Sequence, residues 1–249
     1  MENETNGEVG FSSDKGIIYY SDNYLDNTAI LEAAIKTIEA IKLPIVSCSL
    51  KPIDVGKNIV LEGRVRSYPT QVDQILTALK ALDTKYVFFC EVDVLYHPSH
   101  FDFTPERDDI YYYNINNWRW KFGTPTAITY DGLTSLSGMC CNRELAITHY
   151  EYRKKVIEEM GLDKIRSREP RWARRFGYEP GTKRKRNGGF TDEEHIKRKS
   201  ELPNIDIRHN KTFTAPKIRL DDFKHKPENW REEPIENIPG WDLRKLFNL

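Results

Sequence analysis

Glu91 and Asp93 are the residues from which chemistry can be read first. They stand one residue apart after an apolar run, Tyr86-Val-Phe-Phe-Cys90, and His97, Pro98 and His100 follow closely. In an extended chain side chains alternate, so a Glu-x-Asp spacing sends both acids to one side. Such a pair repels itself unless a cation lies between or near the two carboxylates. A hard divalent ion, Mn²⁺ or Mg²⁺, suits oxygen ligands of this kind and would in turn bind nucleotide phosphates. The ordinary alternative is a solvated pair at a strand edge. The buried strand before the pair, and the type of sheet that strand belongs to, favour the cation.

The elements that must position this pair follow from hydrophobic spacing. Gly16-Ile-Ile-Tyr-Tyr20 reads as a buried strand that ends in the polar loop Ser21-Asp22-Asn23. Asn27 or Thr28 caps a helix in which Ile30, Leu31, Ala34, Ile35, Ile38 and Ile41 recur at helical spacing, and Pro44 ends it. Ile45–Leu50 is a second strand, followed by the loop Lys51-Pro-Ile-Asp54. Pro69–Leu82 is a second helix, with Pro69 in its first turn and Val72, Ile75, Leu76 and Leu79 on one face. The strand Tyr86–Cys90 comes next. Strand, helix, strand, helix, strand predicts an α/β fold: a mostly parallel sheet flanked by helices. Open sheets of this type bind ligands at the carboxyl ends of their strands. Asp22, Asp54, Glu91 and Asp93 then gather at one edge, with Lys51 beside them.

The second half is less regular. Asp109–Asn114 reads as a strand, Asn116–Thr129 as an aromatic loop with Trp118 and Trp120, and Ser137–Cys141 as a further apolar run. Arg143–Met160 is a helix stopped by Gly161, and Ile205–His209 is a short alternating strand. These readings divide the 249 residues into a flexible start, 1–15, a main domain, 16–220, and a C-terminal tail, 221–249, that wraps the domain through Trp230 and Trp241. Within the main domain, 16–105 is the nucleotide-binding half and 106–220 the acceptor half.

Composition is that of a soluble globular chain, 12% aromatic and 31% charged, with no apolar run of membrane-spanning length and no signal-peptide pattern. Cys48, Cys90, Cys140 and Cys141 sit in apolar runs without a C-x-x-C pair, as expected of buried free thiols in a cytoplasmic protein rather than a zinc site. The net charge of zero conceals an asymmetry. From Lys164 to Arg186 ten Lys and Arg stand against two acids, leaving the remainder of the chain equally negative. Arg171, Lys183, Arg184, Lys185 and Arg186 belong to this stretch and suit a phosphate backbone. Among the histidines, His97, His100 and His149 read as structural, and His195 and His225 as solvated.

The order of elements and the acidic pair after the third strand resemble a GT-A glycosyltransferase of the family 2 type. Ser49-Leu-Lys-Pro-Ile-Asp54, Phe88–Phe103, Glu179-Pro-Gly-Thr182 and Asp206-Ile-Arg-His209 resemble small bacterial and phage-type members, over about Gly16 to Arg219. In that family a D-x-D motif holds a divalent metal and a nucleotide-diphospho-sugar, and here Glu replaces the first Asp. The resemblance implies Asp93 as metal ligand, Glu91 at ribose or metal, His209 as a late ligand, and Asp22 and Asp54 at base and ribose. It also implies UDP as the usual donor nucleotide. An inverting transferase needs a carboxylate to take the acceptor's proton. Glu179, in a rigid Pro-Gly turn, and Asp192, in an acidic run that also reads as a helix start, both qualify; the resemblance favours Glu179. Trp118 and Trp120 could stack on a sugar or base, or simply line the core. The basic stretch points to an anionic acceptor, with DNA carrying a hydroxylated base leading and a saccharide or lipid-linked acceptor still open. A nucleotidyltransferase and a nucleic-acid-binding protein with an enzyme-like core remain as other classes.

Overall fold

The computed structural model describes residues 13–161, 179–182, 194–212 and 217–249. Seven strands form the larger sheet in the order β10-β6-β9-β4-β1-β2-β3. They are β1 (Lys15–Ser21), β2 (Ile45–Ser49), β3 (Lys57–Val60), β4 (Tyr86–Glu91), β6 (Ile110–Asn114), β9 (Met139–Asn142) and β10 (Glu194–Arg198). All neighbours pair in parallel except β9, which runs against both β4 and β6. Helices α1 (Thr28–Glu39), α2 (Tyr68–Ala81) and α3 (Arg143–Met160) accompany it. This mixed α/β arrangement, with a parallel-rich sheet flanked by helices, is consistent with a Rossmann-like GT-A fold.

The central strands β1, β4, β6 and β9 are buried on both faces along most of their length, which is why they read as apolar runs, whereas the edge strands β3 and β10 are partly exposed. Alternate residues of the central strands sort into two cores. Ile18, Tyr20, Val87, Phe89, Tyr111 and Tyr113 pack with α2 and α3, whereas Ile17, Tyr19, Phe88, Cys90 and Cys140 pack on the other face with Ile38, Val94, Tyr96 and Phe101. All four cysteines are buried. Of the two possible caps for α1, Asn27 takes the role, its side chain accepting from Ile30 N.

A smaller sheet, in the order β12-β8-β7-β11-β5, was only partly legible. It contains β5 (Val94–Leu95), β7 (Asn117–Lys121), β8 (Thr126–Thr129), β11 (Asn204–Arg208) and β12 (Arg231–Pro234). The expected aromatic loop over 116–129 is therefore a hairpin, β7 to β8, turning through Gly123 in the left-handed region. Trp118 and Trp120 alternate with charged residues along β7, and their rings fill a third core with Ile30, Ala33, Ile205, Ile207, Phe247 and other apolar residues. The tail does more than wrap: β12 extends this sheet, and Ile235, Ile238 and helix α4 (Leu243–Phe247) close its core. Two further differences concern short elements. β3 is an edge strand of four partly exposed residues, entered through Gly56, where a Cβ would lie 2.4 Å from Ile45 O. Glu194 opens strand β10 rather than a helix, so His195 is a strand residue. No helix of the described residues is long and apolar enough to cross a membrane.

Trp120 is wholly buried and packs on Phe122 and Phe247. Trp120→Ala is expected to destabilise the protein by about 3–5 kcal/mol in denaturant unfolding. A loss below about 1 kcal/mol would mean that the ring is not a core element.

Candidate active site

The chain leaves β1 outward through β2 and β3, then returns through α2 to β4 on the other side of β1. The order of strands thus reverses between β1 and β4, the position at whose carboxyl ends sheets of this type bind their ligands. Glu91 is the last residue of β4 and lies opposite Tyr20 of β1. Its Oε1 accepts a 2.8 Å hydrogen bond from the Tyr20 hydroxyl, and its backbone N–H donates to the Tyr96 hydroxyl at 2.9 Å.

Asp93 does not continue the strand, because residues 92 and 93 form a turn. Strand alternation therefore does not account for the proximity of the two acids, as the sequence spacing had suggested. The turn leads into β5, which pairs antiparallel with β11, and Ile207 N–H donates to Asp93 O at 2.8 Å. That pairing delivers His209 to the site. Its Nε2 lies 3.3 Å from Asp93 Oδ2, with the side chains 8% and 16% exposed respectively.

Two further carboxylates contribute to the same field. Asp206, on β11, is buried and held by Arg119 and Arg208, each at 3.1 Å. Glu179 sits in the turn 179–182, fastened by Thr182 Oγ1 donating to Glu179 O at 2.7 Å and Tyr113 Oη donating to Pro180 O at 2.6 Å. Gly181 of that turn has φ +70°, and a Cβ there would lie 3.0 Å from Glu194 O. Burial pushes the Glu91 carboxyl up to about 8; Asp93 adds to this, the Tyr20 bond opposes it, and Glu179 and Asp206 push it further up. Burial likewise pushes Glu179 up to about 7, against the pull of Arg153. Arg153, itself buried, donates to Tyr68 Oη at 2.7 Å and to His149 Nε2 at 2.6 Å.

The remaining expected residues divide clearly. Asp22 is at these strand ends but engaged, its Oδ2 2.6 Å from Arg66 Nε. Lys51 and Asp54 are exposed on the loop after β2. Asn23 joins the two loops by accepting from Leu50 and Lys51 N–H, both at 2.8 Å. Trp118 and Trp120 are not available for stacking on an acceptor. Trp120 is enclosed, and Trp118 is 3% exposed under Arg231, whose guanidinium lies 5.4 Å from the ring centroid. The cleft that Trp118 does line, about 280 Å³ with Asn116, Pro203 and Arg231, is at the opposite end of β11 from His209. Asp192, Arg171, Lys183, Arg184, Lys185 and Arg186 lie outside the described residues, as does most of the basic stretch.

Tyr20, Arg66, Asp206 and Arg153 belong to the site without having been singled out in the sequence. Arg66 binds the loop after β1 to the loop carrying His209, donating to Lys211 O at 2.7 Å and lying 4.9 Å from the Tyr24 ring centroid. The Asp206-Ile-Arg-His209 run offered a signal for Asp206. Nothing local marked the others, whose partners are distant in sequence.

The donor set can be tested against a divalent ion. Among the described residues no group of three His, Cys, Asp or Glu side chains forms a ready-made cage. Asp93 and His209 nevertheless fit the kind of site in which one or two protein ligands are completed by water and substrate phosphates. Among the described residues His209 Nε2 is buried and has no hydrogen bond despite its closeness to Asp93. Lys211 N–H points at His209 Nδ1, 3.2 Å away, so a cation on Nε2 would move the ring proton to Nδ1 and loosen that contact.

No family model and no curated protein matches the chain. Among solved structures, a glycosyltransferase involved in the glycosylation of the major capsid of PBCV-1 aligns with 74% of this chain and 82% of its own, at TM-score 0.41 and 10% identity. The bifunctional IspDF from Campylobacter jejuni aligns with 56% of this chain, at TM-score 0.33 and 11% identity. This chain spans 43% of the IspDF chain. Likenesses of this size assign no activity, and the chemistry has to be argued from the site.

The raised Glu179 carboxyl has a measurable consequence. A carboxylate at about 7 in the fold and near its ordinary 4.5 when unfolded favours the fold below pH 4.5. That contribution is lost as pH rises through 7, because only the native state must still release the proton. In the metal-free protein, Glu179→Gln is expected to melt above the parent at pH 8, by on the order of 5 °C, and to converge with it near pH 4.5. A pH-independent difference would show that Glu179 is not held in a carboxylate-destabilising environment.

Proposed function

We propose that the chain is a metal-dependent, inverting glycosyltransferase that moves a sugar from a nucleotide-diphospho-sugar, a UDP-sugar in the first instance, to a hydroxyl acceptor. The observation that carries this reading is the gathering of Glu91, Asp93, His209, Asp206 and Glu179 where strand order reverses. Surplus negative charge there is suited to Mn²⁺ or Mg²⁺ bound with a diphosphate. Asp93 and His209 would hold the cation, with Glu91 beside them; the ion's contribution is to stabilise charge on the departing diphosphate.

The chain's own groups supply the rest. Tyr20 and Tyr96 fix Glu91 on β4, and Asn23 and Arg66 hold the loops that would border the nucleotide, with Asp22, Lys51 and Asp54 among them. Glu179, with a carboxyl near 7, is available as a base around neutral pH. In the transfer, the acceptor oxygen forms a bond to the anomeric carbon as the bond from that carbon to the diphosphate breaks. The bonding pair leaves with the diphosphate, and the acceptor's proton passes to the Glu179 carboxylate. Attack from the face opposite the leaving group inverts the configuration. The basic sequence from Lys164 to Arg186 supports an anionic acceptor, and DNA carrying a hydroxylated base is the candidate to test first.

Asp93→Asn and His209→Ala are each expected to weaken Mn²⁺-dependent binding of a UDP-sugar at least tenfold by calorimetry, with melting temperature retained. Glu179→Gln should keep donor binding and lose about 10²–10⁴-fold in transfer. Unchanged donor affinity in both metal-site variants would remove the metal from the proposal. An active Glu179→Gln beside an inactive Asp192→Asn would move the base to Asp192.

A further inference from the structure

Tyr19 lies on β1 immediately before the tyrosine that binds Glu91, and its side chain takes the opposite face of the sheet. It is 0% exposed, packed in the core that contains Phe88, Cys90 and Val94. Its hydroxyl has no hydrogen-bond partner among the described residues. An unpaired buried hydroxyl disfavours the fold, and phenylalanine would fill the same space without that penalty. Placement of this polar atom therefore needs an explanation beyond packing.

The surroundings of the hydroxyl provide one. After burial itself, the charge on Asp93 is the main influence raising the Tyr19 phenol above its ordinary range. His209 Nε2, buried 3.3 Å from Asp93 Oδ2, also lacks a hydrogen bond among the described residues. Two unsatisfied buried atoms thus lie about one acidic turn: Tyr19 packs in the same core as Val94, the residue after Asp93, and His209 Nε2 is 3.3 Å from Asp93 Oδ2. They come from elements far apart in sequence, β1 for Tyr19, the turn after β4 for Asp93 and the segment after β11 for His209. A small polar species between them would satisfy both at once.

We infer that the Tyr19 hydroxyl is the third protein group of the cation site bounded by Asp93 and His209, donating its hydrogen to an oxygen of the species bound there. This rests on the proposed metal-dependent function and adds a residue to it. The neutral phenol contributes no charge to the site. Its role is to orient an acceptor oxygen, from water or from a diphosphate, beside the carboxylate. Tyr19 is thus a positioning residue, and Tyr20, on the other face, positions Glu91.

The test is Tyr19→Phe in the full chain, with Asp93→Asn alongside, measured by Mn²⁺ titration with electron paramagnetic resonance and by thermal melting. Metal-free Tyr19→Phe is expected to melt at or above the parent temperature. Its Mn²⁺ dissociation constant should rise about 3–10-fold, the effect of losing one hydrogen bond. A rise with Mn²⁺ alone identifies water as the oxygen source; a rise only with UDP added identifies the diphosphate. Unchanged Mn²⁺ affinity in both arms overturns the inference, as does a metal-free variant that melts well below the parent, since the hydroxyl would then have a partner inside the fold. If Asp93→Asn loses Mn²⁺ while Tyr19→Phe keeps it, only the role of Tyr19 falls. If the parent protein binds no Mn²⁺, the cation site of the proposed function falls as well.

Discussion

The short ladder between β5 and β11 is the contact on which the rest of the site depends. Its register sets Val94 against Asp206 and Leu95 against Ile205, immediately after the acidic turn. A two-residue strand is too short to persist alone. It is held because Leu95 enters the core beneath the smaller sheet while Val94 enters the core of the larger one. The same few residues therefore tie the two sheets together and place Asp93 beside His209. A one-residue slip would exchange the faces of Val94 and Leu95 and sacrifice both burials.

What the ladder assembles is electrostatically unfavourable in isolation. Burial raises the cost of charge on Glu91, and Asp93, Glu179 and Asp206 add to it; on Glu179 burial alone raises it. The surrounding structure offsets only part of this. Asp206 is matched by Arg119 and Arg208, and Glu179 is eased by Arg153, whereas Glu91 is met by the neutral Tyr20 phenol. Perturbed groups of this kind concentrate at functional sites. The loops around these carboxylates are fastened by neutral or cationic groups, Asn23 and Arg66, which hold them in place without adding negative charge.

Burial also decides which aromatic residues can meet a ligand. Trp118 and Trp120 have the spacing of a strand with one face covered, and that face is the core of the smaller sheet. A Trp-Arg-Trp run reads equally well as a binding surface until the elements covering it are known. Here those elements include Ile30 and Ala33 of α1 and Phe247 of α4, at opposite ends of the chain.

The sequence by itself determined the parallel half of the fold. Tyr86–Cys90 and Gly16–Tyr20 are apolar throughout, which only two covered faces permit, and α1, α2 and α3 carry their own spacing, caps and stops. Those local signals suffice to put Glu91 and Asp93 at a strand's carboxyl end, whereas His209 was nominated only by the family resemblance of the Asp206–His209 run. Only the tertiary structure decided the smaller sheet, whose strands are short and gain stability from partners more than a hundred residues away: β5 on β11, β8 on β12. It likewise decided that Asp93 leaves the strand in a turn, that Glu179 lies within reach of Glu91's field, and that Tyr19 keeps a hydroxyl without a partner among the described residues. Hydrophobic periodicity reports how one segment meets the core. It carries no information on which distant segment supplies the other side of a pair, and the site is made of such pairs.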